Sequence, residues 1–189
     1  MMKTPYEKPK RFSDPHSDFS QEEIDQALNC SEQDIGYYEL SRIFQEFLPI
    51  GTYEECAYYI PHALDFMKTN IEERADIVGD FICWCCANKE ELERDLLLDE
   101  ILNHIEAVFK EAVDSCTFVR NIDGFPYPNN QSFISFTLEA LYECPYFKRY
   151  ARIWIDSYCR CCGKWERCEL CVSDLMDRLV APSIMENRD

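Results

Sequence analysis

Signals for the start of a helix recur along this chain with little interruption, and they constrain its fold more than any other feature. Four positions carry a capping residue followed three residues later by glutamate, the spacing of a capping box. These pairs are Ser20–Glu23, Thr52–Glu55, Asn70–Glu73 and Asn88–Glu91. Apolar residues after each pair recur at helical spacing. Five glycines in 189 residues supply few tight turns for an all-β fold. The pattern predicts an all-α fold.

Prolines and chain length indicate where the predicted helices break. Pro61 lies inside the second helical pattern and predicts a kink or split near Tyr59. The helix that opens at Asn88 is predicted to reach about Ser115. A helix of that length is long for a globular protein, so a break near Leu97 is an open alternative.

One loop and three further helices are predicted in the last third of the chain. Residues 121–132 combine prolines, a glycine and paired asparagines, which are turn-forming residues, and predict a loop. Helices are predicted at 133–143, at 145–162 and, after Gly163, to about Val180. The segment SFISF, residues 132–136, is short enough to be ambiguous between helix and strand.

The predicted organisation is a mobile or extended N-terminal arm (1–19), one helical domain (20–182) and a C-terminal tail (183–189). About six to eight helices with short connections are expected to pair as antiparallel αα-hairpins. The pairs are compatible with HEAT-like stacking, although no repeat of fixed period is found. The chain shows no apolar run typical of a signal peptide or a membrane span, so we expect a cytoplasmic protein.

The charge of the chain is strongly acidic and unevenly distributed. The net charge is −17, yet residues 1–12 contain four bases and one acid, so the remainder carries −20. Such a surface repels nucleic acid and anionic lipid, and it attracts basic proteins with fast, salt-sensitive association. We therefore predict a basic protein partner and no nucleic-acid or membrane partner. The alternative is that the acidity serves solubility alone.

Twelve cysteines are present, and five of them lie between Cys159 and Cys171 in the stretch CRCCGKWERCELC. Two Cys-x-x-Cys pairs there suggest a four-thiolate zinc site. Its ligands are Cys159, Cys162, Cys168 and Cys171. The five-residue spacer between the pairs is short for such a site. The favoured interpretation is a helix, a glycine turn and a second helix whose cysteines pack as small apolar residues, with no cofactor. All twelve cysteines are expected to be reduced.

The chain lacks the motifs of common catalytic sites. It has no glycine-rich phosphate loop and no nucleophile elbow. Its three histidines, His16, His62 and His104, are interpreted as packed or surface residues. A cysteine nucleophile whose histidine partner is distant in sequence stays an alternative. The favoured prediction is that the protein is not an enzyme and has no catalytic residues.

Three surfaces are candidates for partner binding. The first is an acidic ridge in NKEELERDLLLDE, which could instead be an ordinary solvated helix face. The ridge consists of Glu90, Glu91, Glu93, Asp95, Asp99 and Glu100. The second is the predicted loop, in which Phe125 and Tyr127 stand between turn residues as interface anchors. The third groups Tyr53, Tyr58 and Tyr59, of which at least one is expected to face solvent.

An acidic helical domain with no catalytic set and many interface-type aromatics resembles bacterial immunity proteins. The stretch FLPIGTYEECAYYIPHALDFM, Phe47 to Met67, is similar to bacterial proteins encoded near toxin systems. The resemblance implies a cytosolic inhibitor that neutralises a toxin, often a basic nuclease, by occluding it. It carries no family site residues over to this chain.

Overall fold

The computed structural model describes residues 2–13, 19–44, 50–71, 73–120 and 126–159. Apart from one short pair of strands, the regular secondary structure in these residues is helical, which confirms the all-α prediction. The chain divides into two compact units, Met1–Val108 and Phe109–Asp189. Among the described helices, none has the length and apolar character needed to cross a membrane. The predicted tail, 183–189, lies outside the described residues, and the predicted domain limits stay predictions.

The described part of the first unit contains six helices and most of a seventh. They are α1 (Gln21–Asn29), α2 (Tyr37–Ile43), α3 (Tyr53–Ala57), α4 (Ile60–Thr69), α5 (Arg74–Ala87), α6 (Lys89–Arg94) and α7 (Leu98–Asp114). Helix α5 packs against α2 and α4. At the centre of this unit the ring of Phe44 meets those of Phe81 and Trp84, with centroids 4.9 and 5.1 Å apart. These edge-to-face contacts combine burial with favourable ring geometry.

The second unit begins within α7, and its described residues contain two strands and two further helices. They are β1 (Phe118–Arg120), β2 (Pro126–Pro128), α8 (Gln131–Glu143) and α9 (Lys148–Trp154), which continues as a π-helical turn, Ile155–Cys159. Helices α8 and α9 pack together. The rings of Phe109 and Trp154 lie 5.3 Å apart in its core. Buried Asn130 donates from Nδ2 to the Ala112 carbonyl (2.8 Å) and ties α8 to the end of α7.

Two of the four predicted capping boxes begin helices as expected. Ser20 precedes α1, and its hydroxyl and backbone N–H exchange hydrogen bonds with Glu23. The Thr52 N–H donates to Glu55 at the start of α3 (2.9 Å). Both arrangements satisfy backbone groups that a helix end would otherwise leave unpaired.

The other two capping boxes do not form, because both asparagines cap the preceding helix. Asn88 is also the N-cap residue of α6, so the predicted helix start at Asn88 is confirmed and only its capping box is wrong. Asn70 is the C-terminal cap of α4, and α5 begins only at Arg74. Asn88 donates from Nδ2 to the Trp84 carbonyl (2.9 Å), so its side chain serves the last turn of α5. An asparagine amide can donate as well as accept, which allows it to bind carbonyls at a helix C-terminus.

Both predicted helix breaks are confirmed. Helix α3 ends at Ala57 and α4 begins at Ile60, with Pro61 in its first turn, where its missing N–H costs nothing. Helix α6 ends at Arg94 and α7 begins at Leu98, so the long helical run divides close to Leu97.

The predicted loop 121–132 contains a short strand, and it ends earlier than expected. Strands β1 and β2 pair antiparallel, with Val119 opposite Tyr127, and α8 already begins at Gln131. The ambiguous segment 132–136 is helical. These strands were not predicted, because they are only three residues long and do not show the alternation of apolar and polar residues that indicates a strand. Residues 121–125 and the predicted last helix lie outside the described residues.

Residues 2–13 of the predicted arm are extended and lie against the first unit. Met2 and Phe12 are buried. Lys8 donates to the Cys30 carbonyl, and both the N–H and the hydroxyl of Ser13 donate to Glu55. The arm therefore contributes to the core of the first unit. Its predicted mobility stays a prediction.

Candidate partner-binding surface

The acidic ridge lies on α6 and on the first turn of α7. Four of its six residues are exposed and Glu91 is half-buried. The exposed residues are Glu90, Glu93, Asp99 and Glu100. Lys89 forms an i,i+4 ion pair with Glu93 (2.6 Å), which offsets one of these charges locally. Residues 89–100 still contain six acids and two bases, so the ridge presents a net negative field.

Asp95 differs from the rest of the ridge, because its carboxylate is already bound within the protein. The hydroxyls of Tyr6 and Tyr53 donate to Oδ2 at 2.5 and 2.9 Å. Arg94 donates from Nε to Oδ1 at 3.0 Å. Only 13% of the Asp95 side chain is exposed. Asp95 therefore stabilises the fold at this corner, by which we mean the cluster of Tyr6, Tyr53, Arg94 and Asp95, and its carboxylate is engaged within the protein.

These hydrogen bonds make Asp95 a stronger acid than an ordinary aspartic acid. The bonds from Arg94, then Tyr6 and Tyr53, lower its pKa to about 2, because each stabilises the charged carboxylate. Burial, with a smaller contribution from Asp95, raises the pKa of Tyr53, so the phenol stays protonated and remains a donor. A carboxylate in the cap of a helix C-terminus opposes the helix dipole. Three charge-assisted hydrogen bonds offset that cost.

Aromatic stacking extends this corner into the core. The Tyr53 ring is stacked on Trp84, with centroids 5.8 Å apart and planes within 6°. Tyr6 meets Tyr53 edge to face at 5.8 Å, and the Arg94 guanidinium lies 5.8 Å from the Tyr53 centroid. The backbone next to the exposed acids is thus held by two half-buried tyrosine rings and the buried ring of Trp84.

Sequence reasoning missed Leu96, the residue that follows this corner. Its side chain is 86% exposed, and its φ of 59° lies in the left-handed region. Leu92 and Leu96 are four residues apart, so a continuous helix would place both on one buried face. The helix ends between them, and Leu92 alone is buried. The run of three leucines at residues 96–98 was the available sequence signal, because a helix break there cannot bury all three side chains on one helical face.

The aromatic loop candidates are only partly described. Phe125 lies outside the described residues. The backbone of Tyr127 belongs to β2 and is paired with Val119. Their role as interface anchors stays a prediction.

Of the three tyrosines predicted to include at least one facing solvent, two are buried. Tyr58 and Tyr59 are buried, with ring centroids 4.8 Å apart. The Tyr58 hydroxyl donates to Glu32 (2.8 Å), and that of Tyr59 to the Ala27 carbonyl (3.4 Å). Partners for the polar tips allow these rings to be buried at little cost. Tyr53 is half-buried.

The cysteines divide into thiols and disulfide-bonded residues. Cys86 and Cys144 are disulfide-bonded, so the prediction that all twelve are reduced is wrong. Sequence spacing does not reveal which sulfurs the fold brings within bonding distance. The remaining described cysteines carry thiols; they are Cys30, Cys56, Cys83, Cys85, Cys116 and Cys159.

Several of these thiols are poorly suited to nucleophilic catalysis. Burial raises the pKa of Cys56 to about 12, and burial also raises the pKa of Cys85 and of Cys30. The reactive form of cysteine is the thiolate, which such shifts disfavour. Cys159, the first ligand of the predicted zinc site, is buried at the end of the π-helical turn. The other three predicted ligands lie outside the described residues.

The two described histidines are packed residues. Burial lowers the pKa of His62, on α4, and of His104, on α7. His62 lies beside the rings of Tyr58 and Tyr59. His16 lies outside the described residues. Within the described ranges, no three His, Cys, Asp or Glu side chains are grouped to hold a metal ion.

Comparison of the chain with protein-family models, with curated proteins and with solved structures found no match. The roles assigned to its residues therefore depend on their own geometry and charge.

Proposed function

We propose that the chain is a non-enzymatic protein-binding module, a cytoplasmic immunity-type inhibitor that occludes a basic toxin or nuclease domain. The observation that carries the proposal is the acidic ridge, with four exposed carboxylates on α6 and the first turn of α7. Their field accelerates encounter with a basic surface, and that acceleration falls as salt screens it. Final affinity then depends on a few contacts at the interface.

Capture at low ionic strength from the cell of origin tests the first step. We expect a basic protein whose toxic or nuclease activity declines as the chain is added. Recovery of no basic protein under these conditions would remove the main support for the proposal.

Charge variants test the ridge itself. We expect Glu90→Gln, Asp99→Asn and Glu100→Gln together to slow association with the captured partner, and to flatten its dependence on ionic strength. Stopped-flow kinetics at low and high salt measures both. An unchanged association rate would show that the ridge does not steer the partner.

A matched control is available elsewhere in the first unit. Glu22, Glu54 and Asp76 are also exposed acids in the first turns of helices, here α1, α3 and α5. Neutralising them removes the same charge and the same type of interaction with the helix dipole. We expect this second triple variant to change the association rate less than the first, because its charges are dispersed over three helices.

The zinc-binding alternative has a separate test. Metal analysis of the purified chain that finds one zinc, lost in a Cys162→Ser and Cys168→Ser variant, would favour a four-cysteine site over a purely apolar role. A single unusually reactive thiol under mild alkylation would instead favour the cysteine enzyme.

A further inference from the structure

The end of α6 forms a Schellman motif in which leucine takes the position usually held by glycine. The Leu97 N–H donates to the Leu92 carbonyl (2.9 Å), and the Leu96 N–H donates to the Glu93 carbonyl (3.1 Å). These two bonds define the motif and place Leu96 at its left-handed residue. Leu92 and Leu97, the two positions whose apolar side chains usually accompany the motif, are both buried.

Leucine is unfavourable at this position on two independent grounds. A φ of 59° brings its Cβ close to the backbone, a strain that glycine avoids and asparagine tolerates. Its side chain is also 86% exposed, the largest exposure among the large apolar residues described. Leucine at position 96 is therefore favoured neither by the backbone conformation nor by burial within this chain.

The residues on both sides of Leu96 are held in place by contacts within the protein. Asp95, its neighbour, is held by Tyr6, Tyr53 and Arg94. Leu97, on its other side, is buried and bonded to α6. An apolar side chain on a rigid support binds without a large ordering cost.

The charges around Leu96 indicate what binds it. Glu93 precedes it by three residues and Asp99 follows it by three, and both are exposed. A partner surface that covers Leu96 must therefore lie beside these carboxylates, which favours lysine and arginine and excludes an acidic surface.

We propose that Leu96 is the apolar anchor of the acidic ridge, inserted into an apolar depression that basic residues surround on a protein partner. This inference rests on the proposed function, because it assigns the affinity of the same surface to one residue. Burial of a leucine side chain corresponds to a gain in affinity of about tenfold or more.

Two designed helical peptides serve as probes, one of lysine and leucine and the other with serine in place of every leucine. Binding is measured by fluorescence anisotropy at low ionic strength. We expect the wild-type chain to prefer the lysine–leucine peptide by about tenfold, and Leu96→Asn to lose that preference. Ile71→Asn is the matched control, because Ile71 is another exposed apolar residue (60%) outside the ridge. It should keep the preference.

Thermal unfolding separates this role from a structural one. Asparagine suits the left-handed conformation, so we expect Leu96→Asn to unfold no earlier than the wild type. Loss of the peptide preference without loss of thermal stability supports an anchor. A preference that Leu96→Asn retains, or a wild type that shows none, overturns it.

Failure of the proposed function gives a different result. In that case neither peptide binds, or the Glu90, Asp99 and Glu100 triple variant binds both peptides as the wild type does. If both peptides bind equally and only the triple variant weakens them, the ridge stands and the anchor role of Leu96 is refuted.

Discussion

The ring of Phe12 lies so close to Gly51 that no side chain fits between them. A Cβ on Gly51 would come within 2.5 Å of Phe12 Cδ1 and 2.7 Å of Glu55 Oε2. Both atoms belong to the contacts that hold the N-terminal arm, since Phe12 is buried and Glu55 accepts hydrogen bonds from Ser13. Gly51 thus allows the arm to pack against the first unit.

Gly51→Ala is expected to displace the arm. The aromatic ring has to move, which for an overpacked site costs about 1–3 kcal/mol of unfolding free energy. Displacement also removes the acceptor of the Ser13 N–H, so hydrogen exchange at Ser13 should accelerate. Denaturant unfolding and amide exchange measure the two effects.

Gly79→Ala is the matched control for this substitution. Gly79 lies inside α5, and nothing lies within 4 Å of a Cβ placed there. Alanine is the better helix former by about 0.5–1 kcal/mol, so this variant should be more stable. Exchange at Ser13 should be unchanged. Equal behaviour of the two variants would show that the arm does not depend on Gly51.

Asp95 predicts an acid-sensitive contribution to stability. Its pKa is about 2 in the folded protein and ordinarily 3.8, so the folded state favours the charged form. The contribution is complete above about pH 4 and is lost as pH falls toward 2. We expect Asp95→Asn to lower the unfolding free energy at neutral pH by about 1–3 kcal/mol, because charged hydrogen bonds are lost.

Unfolding measured from pH 2 to 7 distinguishes this carboxylate from others. The difference between Asp95→Asn and the wild type should shrink as the pH falls below 4. The same substitution at Asp76, an exposed residue in the first turn of α5, should lower the unfolding free energy at neutral pH by less, because it removes only an interaction with the helix dipole. A constant difference across the range would mean that Asp95 acts through its shape and not through its charge.

The sequence predicted mainly those features of the fold that depend on residues close together in the chain. Ser20 and Glu23 are three residues apart and bind each other, so their spacing alone reports the start of α1. Asn88 has the same spacing to Glu91, yet it binds the helix before it, a choice that local spacing does not decide.

The candidate site depended on contacts that no local pattern contains. The acidic residues of the ridge are visible in the sequence, but Tyr6 reaches Asp95 across 89 positions and removes it from the exposed set. Leu96 is apolar, and residue type alone favours burial. Only the end of α6 at Arg94 turns it to solvent.

The buried amide of Asn130 predicts a stability effect in the second unit. Asn130→Ala leaves the Ala112 carbonyl without its donor and removes a second bond, to Ser115 Oγ (3.2 Å). We expect a loss of about 1–3 kcal/mol, the cost of an unsatisfied buried polar group. Chemical denaturation measures it. Asn129→Ala is an unsuitable control, because the Asn129 side chain accepts a hydrogen bond from the Thr117 N–H. Gln21→Ala serves instead, because Gln21 is an exposed residue of α1. A loss no larger than that of Gln21→Ala would contradict the prediction.

The disulfide-bonded state of Cys86 and Cys144 predicts how many thiols the chain presents. Since Cys86 and Cys144 are disulfide-bonded, the denatured chain should present at most ten of its twelve cysteines as thiols before reduction. All twelve should react after reduction. Thiol titration with a chromogenic disulfide under denaturing conditions measures both values, and twelve thiols without reductant would contradict the assignment.

Two serine variants make this count specific. Cys86→Ser removes a bonded cysteine and releases its partner, so the unreduced count should rise by one. Cys56→Ser removes a thiol, so the count should fall by one. The opposite signs arise because a disulfide hides two sulfurs and a thiol exposes one. A fall in both variants would place Cys86 among the thiols.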